Sequence, residues 1–265
     1  MKSLSDRIAV VTGASVGIGR ATAEHLASLG ASVVINARRA ERLEEAARAV
    51  RSAGAKVEAV AGDAADESVI AAILDRAKSA FGRDADLIVI NAGRGLSGSP
   101  LTSDPGQWEE MIRLNLTGAA RLLRASAQRL KLMPSPEAGA AGVSGEWLKR
   151  PRDIVMISSS VGKNISPFSS MYGSTKFAVT ALAEAARREL ATSGIRVSAI
   201  HPAVVRSEFQ QVAGYDTDKF GAFMDSIGPV LEPIDVARTI AFIASQPAHV
   251  CVNDVMVRPT RQEYP

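Results

Sequence analysis

With 265 residues, 46% of them hydrophobic and 22% charged, the chain has the length of one large domain or two small ones and the composition of a globular protein with a sizeable core. Its net charge of +3 is spread among interleaved acids and bases, with none of the basic blocks or interleaved aromatics of a nucleic-acid reader. A single cysteine, Cys251, excludes an intrachain disulfide and a multi-cysteine metal site; His25, His201 and His249 lack ligand spacing, so no metal is expected.

The opening MKSLSDRIAVVTG lacks a cleavage region, and no apolar stretch approaches the roughly 20 residues of a bilayer span, so a cytoplasmic protein is expected. RIAVVT (7–12) reads as a strand ending in glycines, and 19–30 as a helix closed by glycine. Strands at 32–37 and 56–63 alternate with helices at 40–54 and 66–82, and DLIVINAG (86–93) is apolar throughout, as a strand covered on both faces would be. A long helix follows over 104–131, with Trp108, Met111, Ile112, Leu114 and Leu116 on its apolar side. Then come a strand at 153–159, a helix at 170–193, a strand at 195–200, a helix at 234–245 and a strand at 252–257. Such alternation predicts an α/β domain: a doubly wound, parallel, seven-stranded sheet with helices on both faces.

Two stretches break the rhythm. Residues 133–152, rich in Pro, Gly, Ala and Ser, read as a surface insertion in which Trp147 pins the loop or meets another subunit. Residues 207–229 mix Phe209, Tyr215, Phe220, Phe223 and Met224 with polar residues after a strand, which predicts a mobile substrate lid with an apolar wall. Arg206 beside it is a candidate partner for a substrate carboxylate, although a solvated arginine is the commoner case.

TGASVGIG (12–19) joins the first strand to the first helix. Glycines there let the backbone approach a phosphate at the helix N-terminus, so Gly13, Ser15, Gly17, Ile18 and Gly19 are candidate cofactor contacts. The same residues contain G-A-S-V-G, the pattern of a nucleophile elbow, and so admit a serine hydrolase using Ser15 with Asp225 and His249. That reading leaves Gly19 and the later MYGSTKF unexplained. At the end of the second strand, where an acid would select NAD, the chain reads Asn36, Ala37, Arg38, Arg39. Missing acid and present guanidinium groups point to the 2′-phosphate of NADP(H).

MYGSTKF (171–177) sets Tyr172 and Lys176 one helical turn apart, able to act on one bound molecule. With TGASVGIG, GDA (62–64), NAG (91–93), Asn115, Ser159, YGSTK (172–176) and the segment 202–207, the chain resembles the short-chain dehydrogenases/reductases over most of its length. The resemblance implies a single-domain Rossmann fold spanning 1–265 and a hydride transfer between NADP(H) and a carbonyl or alcohol substrate. It assigns Asp63 and Ala64 to the adenine end, Asn91, Ala92 and Gly93 to the ribose side, Lys176 to the nicotinamide ribose hydroxyls, and Pro202, Val205 and Ser207 to the nicotinamide end, with Tyr172 a further cofactor contact. It makes Asn115, Ser159, Tyr172 and Lys176 the catalytic group, with Ser159 standing 13 residues before the tyrosine as in the family. Lys176 and a positive nicotinamide would lower the Tyr172 pKa, Ser159 would polarise the substrate oxygen, and Asn115 would bend its helix and hold a relay water. The chain departs from the family pattern at Ala203, usually glycine, and at Val16, often basic in NADP users. The resemblance also implies a homodimer or homotetramer through the helices at 104–131 and 170–193. A cofactor-binding sensor without turnover is the third reading, against which the complete Asn-Ser-Tyr-Lys set counts.

Overall fold

The computed structural model describes residues 3–134 and 145–264. Its strands are β1 (Ile8–Thr12), β2 (Ser32–Ala37), β3 (Val57–Ala61), β4 (Leu87–Ile90), β5 (Arg152–Ile157), β6 (Ile195–Pro202) and β7 (Asp254–Val257). They form one 7-stranded sheet in the order β3-β2-β1-β4-β5-β6-β7, and every neighbouring pair is parallel. The helices are α1 (Gly17–Ser28), α2 (Ala40–Ser52), α3 (Glu67–Phe81), α4 (Trp108–Ile112), α5 (Ala119–Lys131), α6 (Glu146–Lys149), α7 (Ser170–Leu190), α8 (Phe209–Val212), α9 (Thr217–Ile227) and α10 (Pro233–Ala244).

The unbroken apolar runs follow from this arrangement, because successive strand residues point to opposite faces and both faces are covered. Ala9 and Val11 of β1 pack with Leu26 of α1, Leu43 of α2 and Ile240 of α10. Their neighbours Ile8 and Val10 pack with Ile73 of α3, Leu122 of α5 and Val179 of α7. The strand order reverses beside β1, between β2 and β4, which opens a crevice at the carboxyl ends of the strands.

The opposite, amino edge carries a buried ion network. Arg7 Nε lies 2.7 Å from Asp86 and Arg7 Nη2 lies 2.6 Å from Asp153, which Arg196 grips at 2.6 and 2.8 Å. The described part of the insertion sits at this edge, where Met133, Pro134, Trp147 and Arg152 border a cavity of about 300 Å³ with Asp6 and Arg7. Residues 135–144 of the expected insertion lie outside the described residues.

Two expected elements differ. The helix expected over 104–131 is split by a π turn at Arg113–Gly118. Met111, Leu114 and Asn115 take its buried stripe, which leaves Leu116 half-buried and Ile112 exposed. The strand expected over 86–93 ends at Ile90, because the Thr12 hydroxyl accepts from the Asn91 and Ala92 amides, both at 3.1 Å, and turns the chain away from the ladder. Among the described residues no helix is long and apolar enough to cross a membrane.

Candidate active site

The glycine loop is built for close approach. Gly13 and Gly17 have φ of 66° and 56°, which L side chains rarely adopt, and a Cβ on Gly19 would stand 2.3 Å from the Gly13 carbonyl. Asn91 holds the loop from below, its Nδ2 donating to the Thr12 carbonyl at 2.9 Å and the Gly13 carbonyl at 3.3 Å. Val16 offers no side-chain cap to α1, and no acid occupies the first turn. The free amides and the positive helix end therefore suit an anionic group such as a dinucleotide's phosphates. Ser15 is buried within the loop, and Ile18 is half-buried against the core below it.

At the end of β2, the Asn36 amide donates to the Val60 and Gly62 carbonyls at 2.9 and 3.1 Å, tying β2 to β3. Arg38 and Arg39 point outward and are about half exposed. Asp63 accepts from the Ala65 amide at 2.9 Å and pairs with Arg113, next to the buried Ala64. Burial works against the Asp63 carboxylate, yet the amide bond and Arg113 hold its pKa below the usual value.

The catalytic candidates converge at the carboxyl edge of β4 and β5. Tyr172 and Lys176 lie on the first turns of α7, 7% and 5% exposed, with Lys176 Nζ 5.7 Å from the centre of the Tyr172 ring. Lys176 Nζ donates to the Ile157 carbonyl at 2.8 Å, and Ser159, just past β5, stands near enough to Tyr172 to favour its phenolate. Asn115 sits in the π turn. Its Oδ1 accepts from the Arg94 amide at 2.8 Å, and its Nδ2 donates to the Arg94 carbonyl at 2.8 Å and to Thr175 at 3.1 Å. A Cβ on Gly93 would come within 3.1 Å of Asn115 and 3.7 Å of Lys176, so Gly93 lets the two approach.

The protein groups alone act on Tyr172 in the direction opposite to the effect expected of Lys176 with a bound nicotinamide. Burial, not Lys176, dominates at Tyr172 and pushes the phenol above its ordinary 10.0, with Ser159 opposing. Burial also pushes the Lys176 ammonium down to about 8. The protein groups thus favour a protonated tyrosine at neutral pH, the form that donates.

The segment 202–231 closes one side. Pro202 accepts from the Ser159 hydroxyl at 3.4 Å, Ala203 is fixed by its amide to Val257 at 2.8 Å, and Val205 bridges to Leu231. Ser207 Cβ lies 3.6 Å from the position a Cβ would take on Gly17. The Phe209 ring sits 5.4 Å from that of Tyr172, while Arg206, Tyr215, Phe220 and Met224 border a cavity of about 380 Å³. Arg206, the candidate carboxylate partner, already pairs with Glu232 at 3.2 Å.

The elbow reading fails on topology. Ser15 follows β1 at the carboxyl edge, whereas the segment before β7 that carries His249 is pinned to the amino edge, its Gln246, Pro247 and Val250 carbonyls accepting from Arg196 at the start of β6. Several contributors escape sequence reading. Thr12 and Thr175 lie inside the quoted motifs but matter by holding the Asn91–Ala92 turn and the Asn115 side chain, and Glu110, Glu208 and Arg42 find their partners only when distant segments fold together.

Comparison with known proteins agrees with this geometry. The short chain dehydrogenase family model matches residues 7–217. A cis-4-hydroxycyclohexanecarboxylate dehydrogenase of Sinomonas cyclohexanicum is 36% identical over 258 residues, 96% of each chain. A metagenomic short-chain oxidoreductase solved with NADP is 35% identical with a TM-score of 0.75, covering 98% of this chain and 99% of its own. A 3-ketoacyl-(acyl-carrier-protein) reductase from Brucella melitensis, solved with NADH, is 28% identical with a TM-score of 0.82 over 98% of this chain and 99% of its own. The glycine loop, the parallel sheet and the Asn-Ser-Tyr-Lys group therefore have one origin: the chain belongs to the short-chain dehydrogenase family, whose members are nicotinamide-dependent oxidoreductases.

Proposed function

We propose that the protein is an NADP(H)-dependent dehydrogenase/reductase acting between a carbonyl and the corresponding alcohol, with Tyr172 as general acid/base. The observation that carries this reading is the convergence of Asn115, Ser159, Tyr172 and Lys176 at the sheet edge beside an uncapped helix N-terminus. Gly13, Ser15, Gly17, Ile18 and Gly19 would hold the pyrophosphate, Asp63 and Ala64 the adenine end, and Arg38 and Arg39 the 2′-phosphate. Asn91, Ala92, Gly93 and Lys176 would hold the ribose side, and Pro202, Val205 and Ser207 the nicotinamide end. When bound, the nicotinamide supplies the hydride for reduction and accepts it in the reverse direction.

The chain's own residues handle the proton. Ser159 donates to the substrate oxygen and polarises its bond to carbon. Tyr172, held protonated by burial, gives its proton to that oxygen as negative charge develops there. Lys176 would hold the ribose, and its Nζ, 5.7 Å from the centre of the Tyr172 ring, would steady the resulting phenolate. Asn115 fixes the loop at Arg94 and the helix at Thr175, and so sets the spacing of the group.

The substrate class we propose is an apolar ring or chain bearing one ketone or secondary alcohol. Leu96, Trp108, Met171 and Phe209 surround Tyr172 and support it. The hydroxycyclohexanecarboxylate in the name of the Sinomonas relative shares the ring and the secondary alcohol, and carries a carboxylate besides. The segment 207–229 serves as the lid, and exposed Ile112 and Phe177 on α4 and α7 support a homo-oligomer joined through these helices. The protein works in the cytoplasm.

The test of cofactor choice compares initial rates with NADPH and NADH. Wild type is expected to prefer NADPH, and the double variant Arg38→Ala, Arg39→Ala to lose most of that preference. Equal rates with both cofactors in wild type would remove the NADP(H) assignment.

A further inference from the structure

The end of β2 is followed by three guanidinium groups, because Arg42 in the first turn of α2 joins Arg38 and Arg39. Each has a carboxylate partner from a distant part of the chain. Arg38 Nη1 lies 3.0 Å from Glu110. Arg42 Nη1 lies 3.0 and 2.8 Å from the two carboxylate oxygens of Glu208, and Arg39 Nη2 lies 3.8 Å from one of them. Glu208 stands between Ser207, which meets Gly17 of the glycine loop, and Phe209, which packs on Tyr172. One short stretch thus touches the phosphate loop, the arginines and the acid/base residue.

We propose that Arg42 completes the 2′-phosphate site with Arg38 and Arg39, and that Glu208 is an internal competitor which the phosphate must displace from Arg42 and Arg39. The inference rests on the NADP(H) reading. A carboxylate and a phosphate monoester accept from the same guanidinium fork, but the phosphate brings about −1.5 to −2 charges and three acceptor oxygens, so it wins the exchange. Arg39, Arg42 and Glu208 are each about half exposed, so water screens the pairs and the exchange is readily reversible. A cofactor without the 2′-phosphate leaves Glu208 on Arg42. A cofactor with it frees the root of the lid beside Phe209.

The probes are 2′,5′-ADP and 5′-ADP, titrated by calorimetry into wild type, Glu208→Gln, Arg42→Gln and the double variant. Wild type is expected to prefer 2′,5′-ADP. Glu208→Gln tightens 2′,5′-ADP about three-fold and leaves 5′-ADP unchanged. Arg42→Gln weakens 2′,5′-ADP about ten-fold, again without effect on 5′-ADP, and in its background the Glu208→Gln gain shrinks to the part that comes from freeing Arg39 at 3.8 Å. Hydrogen exchange in 209–213 is expected to speed up with 2′,5′-ADP, and in Glu208→Gln alone. Unchanged or weaker 2′,5′-ADP binding in Glu208→Gln, or equal loss of both probes in Arg42→Gln, would overturn the inference and leave the NADP(H) reading standing. A wild type that binds both probes equally would instead remove that reading and the inference with it.

Discussion

The Phe209 ring lies 5.4 Å from the Tyr172 ring, tilted by 57°, so the first residue of α8 roofs the buried phenol. The room for it comes from Gly95: a Cβ there would stand 2.4 Å from the tip of the Phe209 ring and 2.7 Å from Ala213 Cβ. Gly95→Ala is therefore expected to push the ring off Tyr172, admit water and lower kcat/KM about ten-fold. Adding Phe209→Leu, a smaller roof, should recover part of the loss, because the clash with Ala213 Cβ at 2.7 Å remains. Steady-state kinetics of the two variants check this, and a Gly95→Ala enzyme with wild-type kcat/KM would sink it.

Lys176 links catalysis to stability with opposite signs. Burial lowers its pKa from 10.5 to about 8, so the folded state disfavours its charge. Between those values the unfolded chain binds more protons, and the penalty, full at neutral pH, fades as pH rises from about 8 to 10.5. Lys176→Met should lose activity by at least about 100-fold. Its stability at pH 7 should rise by about 1–3 kcal/mol, less than the whole penalty because the Ile157 carbonyl loses its donor, and the gain should shrink toward pH 10. Urea denaturation at pH 7 and pH 10 reads both effects; a destabilised variant at pH 7 would show that the charge is better compensated than burial implies.

Asp153 separates stability from function. It receives Arg7 and Arg196 at the amino edge of the sheet, 1% exposed and away from the crevice. Asp153→Asn leaves two buried guanidinium groups short of charge and should cost about 3–5 kcal/mol. Cofactor affinity of the folded fraction should stay unchanged, and a large shift in cofactor Kd would contradict the assignment of the two edges.

His201 gives an acid limb to the stability curve. It is fully buried beside Pro202, and burial lowers its pKa below 6.5, against the pull of Asp254 at 3.3 Å. A histidine kept neutral in the fold contributes fully above its unfolded value, and that contribution is lost as pH falls below 6.5 toward the lowered folded value. The Tm of wild type should drop between pH 7 and 5, and His201→Asn should drop less. Equal slopes would place the acid sensitivity elsewhere.

Much of this was legible because local rules and the global fold agree. The apolar runs of β1, β4 and β5 announce strands covered on both faces, and the three loop glycines and the Tyr172–Lys176 spacing announce a cofactor and a shared helical turn. A bend at Asn115 was legible through the family resemblance, but its π form was not, because Arg94 and Thr175 reach that side chain from other segments. Nor was the Tyr172 environment: spacing predicts a lysine nearby but not the Phe209 ring over the phenol or the burial that raises its pKa. The Arg42–Glu208 pair joins residues 166 positions apart, and no local pattern foreshadows it.

In the proposed nicotinamide-dependent carbonyl reduction, everything turns on Tyr172 giving the proton. The direct measurement follows NADPH consumption by wild type and Tyr172→Phe against aldehydes, ketones and β-keto acids, with NADPH affinity measured on the same samples. Wild type is expected to turn over, the variant to lose about 100- to 10,000-fold in kcat, and NADPH affinity to stay unchanged within about two-fold. Undiminished turnover in Tyr172→Phe would contradict the role of the phenol. Tight NADPH binding by a wild type that reduces no panel member would contradict the enzyme reading and favour a cofactor sensor.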